Sequence, residues 1–406
     1  MENPHTATRG AATDSPAGDG ELHAVVLPTG PALFAAVTDA LRGDGPALLP
    51  IDPALPEARR AGLLDAMRPH AIRTADGLRR LPAPAPVSGD TALVIATSGS
   101  TGTPKGVELS RRALTASARA TLDRIGAAPG DRWLCCLPTS HIAGLQVLTR
   151  SVVAGTAPVL HERFEPGSVM ASGAAHVSMV PTQLRRLLDR DADLSAFAAI
   201  VLGGAAASPG LLAEARAAGA RVFTTYGMSE TCGGCVYDGV PLDGVRAELR
   251  EPSAEGVGRI TLSGPPLFTG YRLAPEMTAE TCAGGWFRTS DLGRFEDGRL
   301  RVLGRVDDVI NTGGEKVVAG EVTRVLSGHP GVADVVVVGR ADREWGQRVT
   351  AVVVPADPSA PPTLAELRAY ARDRLPPAAA PRELDLVARI PLLASGKPDR
   401  AALIGA

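Results

Sequence analysis

Ten consecutive residues, Thr97-Ser98-Gly99-Ser100-Thr101-Gly102-Thr103-Pro104-Lys105-Gly106, follow the apolar run TALVIATS (91–98). Six of the ten are hydroxyl residues or lysine, and three are glycines. Glycines let backbone N–H groups approach an anion closely, hydroxyls donate to it, and lysine adds charge. That chemistry suits a polyphosphate. The order is not that of a Walker A loop, because Pro104 precedes Lys105 and Gly106 follows it.

Other residues could do chemistry but are ambiguous alone. Glu230, in YGMSET (226–231), offers the carboxylate oxygen that a hard cation prefers, or is a solvated loop charge. Lys397, in Ser395-Gly396-Lys397-Pro398, is a positioned cation or a solubilising charge. Asp291 and Arg305 bind polar ligands or pair as a salt bridge, and His141 after RWLCCLP (132–138) reads most simply as structural. Cys232-Gly233-Gly234-Cys235 has the spacing of a redox pair or half a zinc site. No second Cys/His pair stands at metal-site spacing, and no thioredoxin-like context surrounds it, so both cysteines read as small packing residues.

These groups need elements to hold them. HAVVL (23–27) is expected as a strand and PALFAAVTDALRG (31–43) as a helix ending at Gly43. TALVIATS (91–98), RWLCCLP (132–138), AHVSMVP (175–181), FAAIVLGG (197–204) and RVFTTYG (221–227) are short apolar strands bounded by Gly or Pro. Helical patterns at 181–190 and 208–220 separate some of them. This alternation argues for an α/β domain with a largely parallel sheet. After Gly239 the texture changes to short strands with tight turns, including a hairpin at FEDGRLRV turned by Asp297-Gly298. The last hundred residues read as helix (320–330), strands (334–340 and 349–356) and helix (363–376). The division is a tail at 1–22, a large domain at 23–306 and a small domain at 307–406.

Composition sets limits. The 406 residues suggest two or three domains. Charge is nearly balanced, 42 Lys+Arg against 44 Asp+Glu, which excludes the basic surplus of a chain built to hold nucleic-acid backbones. Aromatics are 3%, too few for a base-stacking surface. Five cysteines do not make a disulfide framework, and the polar first 20 residues carry no apolar signal segment. No apolar stretch of about 18 residues predicts a membrane span. A reducing cytoplasm is the expected setting.

TSGSTGTPKG resembles the phosphate-binding signature of the adenylate-forming superfamily, which includes acyl- and aryl-CoA ligases, luciferases and peptide-synthetase adenylation domains. YGMSET resembles its second core motif, RTSDLGRFEDGRLRVLGRVDDVINTGGEKV (288–317) its hinge region and PLLASGKPDR (391–400) its C-terminal lysine motif. The four stand in the family's order, over about residues 23–403. The resemblance implies a large AMP-binding domain of mixed sheets and helices, plus a small mobile α+β domain. It implies a carboxylate attacking the α-phosphate of ATP, then a thiol, usually of CoA, displacing AMP. The implied substrates are a small carboxylic acid, ATP and CoA, with Mg2+ as cofactor. Nucleic acid is not an implied partner, and a homo-oligomer stays open beside a monomer.

By that resemblance Thr97, Ser98, Ser100, Thr101, Gly102, Thr103 and Lys105 cradle phosphates. Gly203, Gly204 and Ala205 pass the adenine. Thr225, Tyr226, Gly227, Met228 and Ser229 line the adenylate, with Tyr226 stacked on the base. Glu230 holds Mg2+, Asp291 binds the ribose hydroxyls and Arg305 lies near ribose and phosphate. Lys397 bridges the acid and the ribose and phosphate oxygens, and Asp307 is the hinge. Gly313, Gly314, Glu315 and Lys316 line the pantetheine tunnel, where Asn311-Thr312 departs from the lysine of many relatives. In LPTSHIAGL (137–145), His141 is the substrate gate, with Ser140 and Gly144 beside the acid. That segment, HERF (161–164), VSMVPTQLRRLL (177–188) and YGMSETCGG most resemble the o-succinylbenzoate–CoA ligases of menaquinone synthesis. A CoA ligase for another aromatic or acyl acid, or a catalytically reduced adenylate-binding protein, are the rival readings.

Overall fold

The computed structural model describes residues 20–98, 104–392 and 398–405. They form a mixed α/β architecture with a large N-terminal part carrying three sheets and a smaller C-terminal part carrying one.

The first sheet has seven strands in the order Gly270–Tyr271, Pro104–Ser110, Thr91–Ser98, Ala47–Pro50, Leu22–Val25, Ala71–Thr74 and Gly77–Arg80. Its centre is parallel and its flanks are antiparallel. The strand after the glycine-rich loop is therefore an antiparallel return, with Ser98 opposite Pro104. The sequence expectation of βα alternation missed this return. Its inward side chains are only Val107 and Leu109, too short an alternation to stand out.

The second sheet also has seven strands. Val222–Met228, Ala199–Leu202, His176–Met179, Trp133–Cys135 and Val159–Leu160 run parallel, and Gly233–Tyr237 and Val240–Pro241 add an antiparallel edge. Strand residues from both sheets, such as Leu93, Val107, Trp133 and Val201, share one buried cluster with Leu114 and Leu148 of the intervening helices. Helix Pro31–Arg42 closes on Gly43, whose φ of 85° supplies the left-handed stop. Helix Arg111–Ile125 is capped by Ser110, whose hydroxyl accepts from the Ala113 N–H.

The third sheet contains the hairpin Trp286–Glu296 with Arg299–Arg305. Asp297 and Gly298 turn it with φ of 49° and 76°, the two left-handed positions that a tight hairpin demands. The fourth sheet is built from Val309–Thr312, Glu315–Val318, Val332–Asp342, Gly346–Pro355 and Glu383–Leu386. In Val332–Asp342 the valines alternate between two buried faces. Val335 and Val337 join the cluster of Leu326 and Leu367, while Val336 and Val338 join Ile390 and Leu403. Helix Ala319–Leu326 lies against strand Arg299–Arg305, and a Cβ on Gly320 would strike the Leu303 carbonyl. Arg294 and Glu321 pair across this contact at 2.9 Å.

Candidate functional site

The predicted residues assemble into two polar groups and one loop cluster. The first group is built on the hairpin of the third sheet. Its register sets Asp291 opposite Arg305. The Arg305 guanidinium stands 3.9 Å from Asp291 and 3.5 Å from Asp307. Tyr226, from the end of strand Val222–Met228, donates its hydroxyl to Asp291 at 2.7 Å. Burial, and then the Asp291 charge, push the Tyr226 hydroxyl well above its usual range, so it stays a donor. Thr289, not anticipated from the sequence, fixes the carboxylate's backbone: its hydroxyl accepts from the Asp291 N–H and donates to the Ile260 carbonyl.

The second group joins two strands and the short turn that carries Glu230. Lys105, at the start of Pro104–Ser110, sits with its ammonium 5.8 Å from the Tyr271 ring centre. The Tyr271 hydroxyl donates to Glu230 Oε1 at 2.8 Å. Tyr271 was missed. Its only sequence signal is an aromatic beside a glycine in LFTGYR, on a strand two residues long.

Between these groups lies Thr225–Thr231. A Cβ on Gly227 would collide with the Gly233 carbonyl, and the strand pairing is irregular between Tyr226 and Gly227. Gly227 thus lets the chain cross close to the neighbouring strand before Met228 and Ser229 enter a short turn. Gly203 brings the end of Ala199–Leu202 up to Thr225, leaving room for Thr225 Oγ1 2.6 Å from where a Cβ would stand. Gly204 has a φ of 82°, and Ala205 is exposed beside it.

The loop cluster precedes helix Ile142–Ala154. His141 is its exposed N-cap residue. Gly144 is buried because a side chain there would overlap the Pro138 carbonyl, so the glycine seats the helix on the loop carrying Thr139 and Ser140. Thr139 shares a 3.1 Å hydrogen bond with Thr29, from the loop after the first strand. Gln146 donates to the Cys232 carbonyl at 2.6 Å, tying this helix to the Glu230 turn.

The cysteines serve packing. Cys232 and Cys235 are fully buried free thiols, and burial pushes the Cys235 thiol up to about 12. Among the described residues no group of three or more His, Cys, Asp or Glu could hold a metal ion. Glu230 is instead suited to contribute one carboxylate to a cation that substrate phosphates also ligate, as Mg2+ sites do. Its Oε1 accepts from the Tyr271 hydroxyl, while among the described residues no donor is hydrogen-bonded to Oε2.

Thr97 lies at the strand end before the glycine loop, its hydroxyl donating to the Lys105 carbonyl at 3.4 Å. The Ser98 side chain, Ser100, Thr101, Gly102, Thr103 and Lys397 lie outside the described residues. Gly313 and Gly314 form a hairpin turn, with φ of 59° and 85°, rather than a strand. Gly313 packs under Trp345, and Glu315 begins the returning strand. No hydrogen bond or ion pair among the described residues joins this turn to the Tyr226–Asp291 group.

A family model described as AMP-binding enzyme matches residues 70–272, and one described as AMP-binding enzyme C-terminal domain matches residues 321–397. Over 335 residues the chain is 47% identical to a probable 2-succinylbenzoate–CoA ligase of Mycobacterium tuberculosis, covering 78% of this chain and 85% of that protein. It is 35% identical over 335 residues to a feruloyl-CoA synthase of an Amycolatopsis species, covering 76% and 68%. The solved structure of o-succinylbenzoate CoA synthetase from Bacillus subtilis, in complex with the acyl-adenylate intermediate OSB-AMP, superposes with a TM-score of 0.81. That alignment has 29% identity and covers 96% of this chain and 89% of that one.

Proposed function

The chain belongs to the AMP-binding enzyme family, and on that premise we propose that the acid it joins to CoA is o-succinylbenzoate. It is an ATP-dependent acid–thiol ligase. An acid carboxylate displaces pyrophosphate from ATP to give an acyl-adenylate, and the CoA thiol then displaces AMP to give the thioester. The acid assignment is carried by the 47% identity to the mycobacterial ligase across 85% of its length.

Both steps move negative charge, so the residues that meet that charge do most of the work. Lys105 and the loop hydroxyls of Ser98, Ser100, Thr101 and Thr103 hold the β- and γ-phosphates. Tyr226 stacks on adenine while its hydroxyl steadies Asp291, which accepts from the ribose hydroxyls. Arg305, already beside Asp291, turns toward ribose and phosphate. Glu230 holds Mg2+, which neutralises phosphate charge when bound. Lys397 is a positioned cation between the acid and the phosphate, not a nucleophile. His141 gates the acid, and the hydroxyls of Thr139, Ser140 and Thr29 stand where a second carboxylate would be met. The small domain turns at Asp307, and Gly313, Gly314 and Glu315 line the path of the thiol arm.

This reading places the enzyme in menaquinone synthesis and in a reducing cytoplasm. Five free cysteines support the compartment, and no helix among the described residues is long and apolar enough to cross a membrane. Mass spectrometry of the enzyme with ATP, Mg2+ and o-succinylbenzoate, without CoA, tests the function. The expected product is o-succinylbenzoyl-adenylate with pyrophosphate, converted to the CoA thioester and AMP on adding CoA. Absence of the adenylate under these conditions contradicts it.

A further inference from the structure

Tyr271 is fixed with unusual firmness for a residue on a two-residue strand. The strand pairs with Pro104–Ser110, setting Tyr271 opposite Val107. The Tyr271 N–H donates to the Thr278 hydroxyl at 2.8 Å. The next residue, Arg272, is 5% exposed and donates to the carbonyls of Met67, Arg68, Ala85 and Pro86 and to the Glu108 carboxylate. The Tyr271 ring packs edge-on against Phe268 at 4.9 Å, and the Phe268 N–H holds the Glu230 carbonyl at 2.9 Å. Backbone and ring are therefore locked, and the hydroxyl meets Glu230 Oε1 without freedom to search for it.

We propose that Tyr271 is a positioning residue for nucleotide activation. Its hydroxyl orients the Glu230 carboxylate so that Oε2 faces the metal accompanying ATP. Its ring face holds the Lys105 ammonium beside the same phosphates. The proposal rests on the reading of Glu230 as the metal-holding carboxylate. A hydrogen bond to one carboxylate oxygen fixes the other, and loss of such outer partners typically weakens metal binding by about tenfold or more.

The test is calorimetric binding of a non-hydrolysable ATP analogue to the full-length protein, with and without Mg2+. In the wild type, Mg2+ is expected to tighten binding. Tyr271→Phe keeps the ring over Lys105 and against Phe268 but removes the hydroxyl. It is expected to lose about tenfold of the Mg2+-dependent tightening while metal-free affinity stays unchanged. Tyr271→Leu is expected to lose metal-free affinity as well, because the ring is gone. If Tyr271→Phe matches the wild type while Glu230→Gln loses the tightening, the role of Tyr271 is overturned and that of Glu230 stands. If Glu230→Gln keeps the full tightening, the reading of Glu230 fails first. Should Tyr271→Phe not fold, 3-fluorotyrosine labelling of the chain, which has four tyrosines, replaces it. One fluorine resonance must move when Mg2+ joins the preformed nucleotide complex and must stay still in Glu230→Gln. No such movement overturns the proposal.

Discussion

Few of the side chains that matter stand alone. Asp291 is reached by Tyr226, Arg305 and the Thr289 hydroxyl, and Glu230 by Tyr271. The motif strings pointed to Tyr226, Asp291 and Arg305 in one group and to Lys105 and Glu230 in the other; Tyr271 was missed because it meets Glu230 only across the fold, and Thr289 because its hydroxyl serves a backbone N–H. Lys397 is the sharpest case at this scale. Lys397→Ala is expected to abolish pyrophosphate release from acid and ATP yet spare thioester formation from supplied acyl-adenylate, and equal loss of both steps would refute its role. A second expectation concerns His176, buried with its ring 5.1 Å from Trp133 and Nε2 3.0 Å from Asp131. Burial pushes its imidazole below the usual value, with Arg221 and Arg150 adding to the effect and Asp131 opposing it. The unfolded chain then takes up a proton that the folded chain refuses, so stability falls as pH drops below about 6.5. His70 is shifted in the same direction by burial. Thermal melts between about pH 6.5 and 5 should show the fall, and His176→Gln should flatten it; an unchanged slope in the variant would refute the assignment.

Glycines decide how closely the elements approach the site. Gly227 passes beneath the Gly233 carbonyl and Gly144 beneath that of Pro138. Neither has the φ that favours glycine, so close approach, not backbone geometry, is the constraint. Overpacking at such a contact costs about 1–3 kcal/mol. Gly227→Ala is expected to lower the melting temperature and raise the KM for ATP together, and an unchanged KM with lowered stability would separate this contact from the nucleotide. The C-x-x-C segment is likewise packing, with the Cys232 carbonyl clamped by Ser117 and Gln146. A thiol reagent on the native protein should modify Cys282 at most, and all five after unfolding, since the other four are buried and their thiols are pushed upward. Rapid native modification of Cys232 or Cys235 would overturn the packing role. The parallel strands of the second sheet were legible as apolar runs between Gly and Pro. The antiparallel return at Pro104–Ser110 was not, because polar Lys105 and Glu108 interrupt it and its pairing is set by a strand it must find in space.

Across the whole molecule, near-zero net charge conceals local concentration. Lys105 and Arg305 come from different sheets to groups carrying Glu230 and Asp291. The small domain is seated by Gly320 against Leu303 and by the Arg294–Glu321 pair. These side chains are 27% and 16% exposed, so water screens the pair only in part, and it would have to break for the small domain to turn as proposed. The two-part architecture was legible from the motif order and from the helix, strand, strand and helix pattern of the last hundred residues. The seating was not, since it depends on a carbonyl meeting a glycine across the domain contact. Which acid the site takes is the central claim, and kcat/KM for CoA thioester formation, compared across o-succinylbenzoate, ferulate, benzoate and a medium-chain fatty acid, tests it most directly. The account predicts that o-succinylbenzoate exceeds each of the others by at least about a hundredfold, the discrimination that polar partners for its second carboxylate would supply. Ferulate, benzoate or the fatty acid equalling or surpassing o-succinylbenzoate would contradict it.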